Sequence, residues 1–297
     1  MERNPVHQHT LAGRVKLSGV GLHTGVPVNL VLNPAPANTG IVFKRKDLED
    51  FAIKARAANV ARVAYATSLM RKGVLVSTTE HLLSALAALG IDNVYAEMDN
   101  IEVPILDGSS LPISREILNT GLKQQRARRA YLQIMKPLEI ADGDKRISIY
   151  PANRFRATCS IDFPHPLIGK QTLDVTLTPE NYLEEIAPAR TFITLEEVEP
   201  LRQAGLVRGG SLENAIVLAP GGVMNAEGLR FADEFCRHKM LDLIGDLALL
   251  GHPVAGHVVA HRGGHAMHYS LVSRLLKDQA AWRLVDASQL EPQTSAA

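Results

Sequence analysis

The chain has 297 residues, of which 46% are hydrophobic and 21% charged, with a formal net charge of +1. That is enough chain for a sizeable core in one or two domains, and no charge excess draws it to nucleic acid or an acidic membrane surface. Cys159 and Cys236 supply neither a disulfide framework nor a cysteine-based zinc site, and they suit a reducing compartment.

The start, MERNPVHQHTL, has no apolar stretch, so a secretion signal is not expected, and no apolar run is long enough to span a bilayer. Strand-like alternation follows in RVKLSGVGLH, VNLVLNP and IVFKR. STTEHLLSALAALG predicts a helix, NVYAEMDN a strand, DGSS a turn, and LPISREILNTG a second helix stopped by Gly121. The basic LKQQRARRA has few apolar residues and reads as a domain boundary near 122–130. Four strand candidates come next: YLQIMKPLEI, KRISIYPA, FRATCSIDF and TLDVTLT. Residues 180–205 read as helical and acidic, interrupted by PARTF. ENAIVLAP is strand-like, 230–250 helical, AGHVVAH a strand and AMHYSLVSRLLKDQAAW a last helix, before a tail, SQLEPQTSAA, expected to be disordered. Strands grouped before helices, in two halves, predict an α+β fold of sandwiches rather than a doubly wound sheet.

The helix FCRHKMLDLIGD (235–246) poses the chemical question. At about 100° per residue, Met240, Leu243, Ile244, Leu247 and Leu250 form an apolar stripe. His238 and Asp242 fall almost opposite it, with Gly245 and Leu249 beside them and Asp246 at the edge. Side chains four apart stand about 5–6 Å apart at Cβ, close enough to share one metal ion, and imidazole and carboxylate are both zinc ligands. Gly245 in a helix interior costs roughly 1 kcal/mol against alanine, which points to a close approach there. The bland reading is a solvated face, with Arg237 and Lys239 as solvated charges, and His238–Asp242 alone favours it. Lys239 also stands where it could hold an anionic part of a substrate.

In VSTTEHLLSALAALG, Ser77 reads as an N-cap with Glu80 as its capping-box partner. His81 shares a face with Ser84, Ala85 and Ala88, away from the Leu82–Leu86–Leu89 stripe, and alone reads as a satisfied core histidine. Together the two helices offer His81, His238 and Asp242, three ligands that leave a fourth position for water, with Glu80 as the adjacent base. The histidines are 157 positions apart (238 less 81), so spacing alone does not establish that they meet. In GHVVAHRGGHAMH, the Gly263–Gly264 pair marks a strand-to-helix turn and puts His265 near a helix N-terminus. That position disfavours a charged imidazole, a nearby acid such as Asp246 favours one, and such opposed effects can set an acid's pKa near working pH. His252, His257 and His261 read as surface residues.

The segments SGVGLHTG (18–25), TTEHLLSALAALGIDN (78–93), EVPILDGSS (102–110), PARTF (188–192), GLRFADEFCRHKMLDLIGDLALLG (228–251) and GGH (263–265) together resemble one family. It is the UDP-3-O-acyl-N-acetylglucosamine deacetylases, the zinc amidases of lipid A synthesis in Gram-negative bacteria. The resemblance implies zinc held by His81, His238 and Asp242, with Glu80 as general base. It implies His265 as general acid or transition-state charge, held by Asp246, and Thr191 as donor to the carbonyl oxygen. Phe192 and Lys239 would contact the substrate sugar and phosphate region, with His23 near the site. It also implies two β-α-α-β two-layer sandwich domains, 1–125 and 126–297, each with a small insert and the active site between them. An acyl-passage insert would lie within about 160–215. The implied protein is a cytoplasmic monomer acting on a small molecule, acylated UDP-N-acetylglucosamine, with no nucleic-acid partner and no transmembrane segment. Fe²⁺ suits a His₂Asp set as Zn²⁺ does. Three places depart from the family pattern: Cys236 replaces a small aliphatic residue, LAPGGVMN differs from the usual flavour, and His268 stands where asparagine is common. Two competing classes are a metal amidohydrolase for another N-acetyl amide and a non-enzymatic protein with a closed structural zinc site.

Overall fold

Alternation of inward and outward side chains builds the first sheet. In the computed structural model, which describes residues 5–290, strand Pro27–Pro34 buries Val28, Leu30 and Leu32 and turns the residues between them outward. The first four residues of MERNPVHQHTL and 291–297 of the expected tail lie outside the described residues. The sheet has five strands, in the order Val15–Val20, Pro27–Pro34, Val94–Met98, Ile41–Arg45 and Phe51–Lys54. Only the Ile41–Arg45 and Val94–Met98 pair is parallel. The second, seven-stranded sheet centres on Val254–His261, which pairs with Lys145–Pro151, Phe155–Asp162 and Ala130–Ile134. Mixed sheets with helices segregated from them make the fold α+β, as expected.

Among the described residues five helices have nine residues or more: Glu80–Ala88, Leu111–Thr120, Leu195–Gln203, Glu234–Leu247 and His265–Lys277. They are called below by their first or ligating residues. The His238 helix packs against strands Phe155–Asp162 and Lys170–Thr176, and the His265 helix against Leu138–Asp142 and Lys145–Pro151. The Glu80 and His238 helices pack directly on each other. One continuous apolar core joins Leu30 and Phe43 of the first sheet to Leu82, Leu86, Leu243, Ile147 and Leu271. Two small three-stranded sheets stand apart, Val60–Arg62 with Ser68–Arg71 and Val74–Val76, and Phe192–Thr194 with Ile216–Ala219 and Gly222–Val223.

Several sequence expectations need correction. No strand is expected in LKQQRARRA, yet Leu122–Arg128 is a strand antiparallel to His7–Leu11, a polar ribbon whose charged side chains hide its alternation. Trp282–Asp286 adds a strand after the last helix, against Ala130–Ile134. The Ser77–Glu80 capping box is absent, because Thr78 takes a positive φ of 55° and the helix starts at Glu80 with Thr79 as N-cap. That frees the Glu80 carboxylate for another partner. Among the described residues no helix is long and apolar enough to cross a membrane.

Candidate active site

The solvated-face reading of the His238 helix fails, since twelve of its 14 residues are buried. His238 and Asp242 are each 3% exposed and His81 is 6% exposed. The approach that joins them runs over Gly245. A Cβ there would sit 2.1 Å from the Glu80 carbonyl oxygen, so only glycine lets the Glu80 helix cross this close. Crossing at that point places His81 beside His238, their rings edge to face at 5.0 Å. Asp242 Oδ1 lies 3.6 Å from His238 Nε2 and 3.8 Å from His81 Nε2.

One donor atom from each of the three residues lies within 4.8 Å of the others, which fits around one ion with ligand bonds of about 2 Å. The protonation states also suit a cation. Burial pushes His81 down to about 3 and lowers His238, so both imidazoles are neutral. His238 Nδ1–H donates to the Ala189 carbonyl at 3.1 Å, which leaves Nε2 as the free lone pair. Burial would raise the Asp242 carboxyl, but Lys239 and the neighbouring imidazoles hold it well below the usual carboxylate range. Lys239 Nζ donates to Asp242 Oδ2 at 2.6 Å, so this lysine is not simply solvated, and it lines the same cavity as the trio.

A second cluster adjoins the first. Asp246 Oδ2 accepts from His265 Nδ1 at 2.7 Å and from His268 Nδ1 at 2.8 Å. These three residues also fall within reach of one ion. With both imidazoles donating to one oxygen, however, the cluster is a filled hydrogen-bond network, and the first trio is the candidate metal centre. Burial opposes charge on His265, yet the Asp246 charge and hydrogen bond, with Asp242 and Glu80, raise it to about 9. The effect of these carboxylates exceeds any penalty from its place as first residue of its helix. Burial would raise Asp246, but His265 and His268 bring it to about 2, whereas burial keeps His268 neutral. His265 Nε2 faces the trio, 4.0 Å from Asp242 Oδ2.

Glu80 completes the group. It is 3% exposed, and its Oε2 accepts the Thr67 backbone N–H at 3.0 Å. Burial lifts its carboxyl to about 8, with Asp242 and Asp246 adding to the rise against the pull of His265. Thr191 and Phe192 reach the site from PARTF, which is anchored by the buried Arg190–Glu234 ion pair at 2.9 Å. The Thr191 hydroxyl has no hydrogen-bond partner among the described residues, so it is available to a ligand. The Phe192 ring packs between Phe163 and Phe235. Thr191 and Phe192 line a cavity of 840 Å³ together with Glu80, His81, His238, Asp242 and His265 and with the apolar side chains of Phe163, Ile168 and Leu218. Leu22 and Tyr65 line it too; His23, expected near the site, is not in the lining itself but lies close enough to Tyr65 and His265 to interact with both. His23 is buried with its Nε2 unpaired, in a loop that Glu102 holds through the backbone N–H groups of His23 and Thr24. A second cavity of 720 Å³, lined by Leu86, Leu247 and Arg56, lies at the other ends of the two helices and holds none of the ligating side chains.

Sequence reasoning missed two residues of the site. Thr67, in a loop without periodic pattern, touches both Glu80 and Asp246. His268 carried no signal beyond its departure from the family pattern, yet it is 1% exposed and bonded to Asp246.

An α+β fold that brings two neutral imidazoles and a carboxylate together, with a buried acid and a charged histidine beside them, defines a metal-dependent hydrolase site. The chain matches the profile of the UDP-3-O-acyl N-acetylglycosamine deacetylase family (LpxC) over residues 8–277. It is similar to the UDP-3-O-acyl-N-acetylglucosamine deacetylase of Solibacter usitatus, 53% identical over 281 residues and 95% of both chains. It is also similar to those of Myxococcus xanthus, 47% identical over 98% of this chain and 93% of the relative, and Acidithiobacillus ferrooxidans, 46% identical over 96% and 94%. The chain belongs to the UDP-3-O-acyl-N-acetylglucosamine deacetylase family.

Proposed function

We propose that this chain hydrolyses the N-acetyl group of UDP-3-O-(3-hydroxyacyl)-N-acetylglucosamine to acetate and the free amine, the committed step of lipid A biosynthesis. The observation that carries the proposal is the His81–His238–Asp242 trio, set with Glu80 and His265 in the lining of a partly apolar cavity. The donor set fits Zn²⁺, and also Fe²⁺. When bound, the ion would supply Lewis acidity and bring the pKa of a water down to about 7.

The side chains divide the rest of the work. Glu80, raised by burial toward neutral pH, takes a proton from the water that attacks the acetyl carbonyl. The Thr191 hydroxyl donates to the oxygen as it gains negative charge. His265, its Nδ1–H tied to Asp246, gives its Nε2 proton to the departing glucosamine nitrogen. Asp246 fixes that tautomer and balances the charge. Phe192 meets the sugar with its ring. Lys239 meets an anionic part of the substrate, which requires loosening its contact with Asp242. His23 acts from just outside the cavity, through the loop that carries Leu22. The apolar walls, including 163–168, take the acyl chain. We read 1–125 and 126–297 as two domains joined at this site, in a cytoplasmic monomer.

The test is deacetylation of the full substrate by purified protein with its metal quantified. Acetate release that stops on chelation and returns with one equivalent of Zn²⁺ supports the reading. Equal turnover of plain N-acetylglucosamine would reassign the substrate, and full activity in metal-free protein would remove the ion from the reaction.

A further inference from the structure

We propose that Thr67 is a positioning residue that locks the acid arm of the site to the base arm by bridging Glu80 and Asp246. The inference rests on the reading of Glu80 and His265 as base and acid. Thr67 is 1% exposed and immediately precedes strand Ser68–Arg71, in the first of the small sheets. All three of its polar groups are used. Its backbone N–H donates to Glu80 Oε2 at 3.0 Å. Its carbonyl accepts from the Thr79 N–H at 3.2 Å and the Thr79 hydroxyl at 3.0 Å, which ties it to the residue capping the Glu80 helix. Its hydroxyl donates to Asp246 Oδ1 and stands 3.4 Å from His265 Nδ1.

The geometry gives the hydroxyl a specific task. Asp246 Oδ2 is saturated by His265 and His268, and among the described residues Oδ1 has no partner except Thr67. A carboxylate held at one oxygen can still swing about its Cβ–Cγ bond. One held at both cannot, and His265 then presents Nε2 in a single direction. Thr67 comes from the first half of the chain, whereas Asp246 and His265 come from the second. The bridge therefore fixes the acid relative to the base across the meeting of the two halves, where no covalent link does so. A backbone contact to Glu80 survives substitution of Thr67, so the side chain can be tested alone.

The test uses the metal-loaded enzyme and four variants. Thr67→Val keeps the shape and removes the hydroxyl, Thr67→Ser keeps the hydroxyl, and His265→Ala and the double variant Thr67→Val/His265→Ala form a cycle. For Thr67→Val, kcat is expected to fall about 10- to 100-fold, the range of one hydrogen bond to a charged group. KM and metal content should stay near wild type, Tm should fall by a few degrees because buried Asp246 Oδ1 loses its partner, and the serine variant should recover most of kcat and Tm. In the His265→Ala background the valine should add less than about twofold, because nothing is left to position. If the valine disturbs the fold, Thr67→Ala repeats the measurement without overpacking. A wild-type kcat in Thr67→Val, or an undiminished loss in the double variant, overturns the role of Thr67 and leaves that of His265 standing. A fully active His265→Ala overturns the acid reading itself and this inference with it.

Discussion

Gly245→Ala is a one-carbon test of the helix crossing on which the site depends. In an ordinary helix the change would stabilise by roughly 1 kcal/mol. Here the new Cβ would lie 2.1 Å from the Glu80 carbonyl oxygen, 2.8 Å from its carbon and 3.0 Å from its Cα. Ordinary contact begins at 3.4 Å, so the nearest pair must separate by 1.3 Å (3.4 less 2.1). All three atoms are backbone, so no side chain can turn away and the helices themselves must shift. Overpacking of this kind costs about 1–3 kcal/mol, which the propensity gain partly offsets, so Tm should fall by only a few degrees. The catalytic effect should be far larger. Asp242 and Asp246 flank Gly245, while Glu80 and His81 lie on the displaced helix, and misplacement by about 1 Å costs on the order of 10²-fold in rate. The assay is kcat, metal affinity and Tm measured on one preparation. We expect kcat about 100-fold down, weaker metal binding and a cooperative thermal transition. Turnover within about threefold of wild type, with Tm raised as propensity alone demands, would refute the argument.

Glu80→Ala should keep its metal and lose about 10²- to 10⁴-fold in kcat, as loss of a general base does; metal analysis with steady-state rates checks it, and wild-type turnover removes Glu80 from the reaction. Wild-type activity should follow a bell in pH. It is lost as pH falls and Glu80 protonates, and lost as pH rises and His265 deprotonates. A cation in the trio lowers both groups from about 8 and about 9, so the bell should sit below those values. His265→Ala should show a large fall and no basic limb, and an unchanged profile would argue against an acid role. Glu234→Ala removes the buried carboxylate from Arg190 but leaves it Glu227 and the Gly228 carbonyl, so the cost should fall below the about 3–5 kcal/mol of a wholly broken buried pair, and calorimetry should show Tm lower by several degrees. His268→Asn keeps an N–H donor of similar reach toward Asp246 and should retain turnover within about threefold, whereas His268→Ala should not.

What could be read in advance followed periodic pattern and motif. The Pro27–Pro34 strand was legible because its apolar residues alternate and burial follows them, and the His238 helix because its apolar residues recur at about 3.6, although nearly the whole helix is buried. Gly245 was legible as a close approach because glycine is costly in a helix interior. The trio was legible as a set of ligand types, but its convergence was not, since it depends on where one helix crosses another. The Ser77 capping box misled because the pattern of residue types is the same whether or not Thr78 turns its backbone out of register. Leu122–Arg128 hid as a strand because its exposed, charged residues carry no apolar alternation. Thr67 was invisible: a threonine in a loop announces nothing until the fold brings Asp246 to it.

The same physics explains why the site lies between two halves of the chain. Three buried ionisable groups within hydrogen-bonding reach are expensive on any one element, because each needs a partner and none can reach water. A crossing of two helices over glycine lets each helix compensate the other. The His238 helix supplies Asp242 and Asp246. The Glu80 helix brings His81 against the first of these, and the His265 helix brings His265 and His268 against the second. Opposed charges then shift the groups apart, Asp246 to about 2 and His265 to about 9, while burial alone dominates Glu80. These shifts agree with the roles proposed above, in which Glu80 takes a proton from water and the charged His265 gives one to the amine.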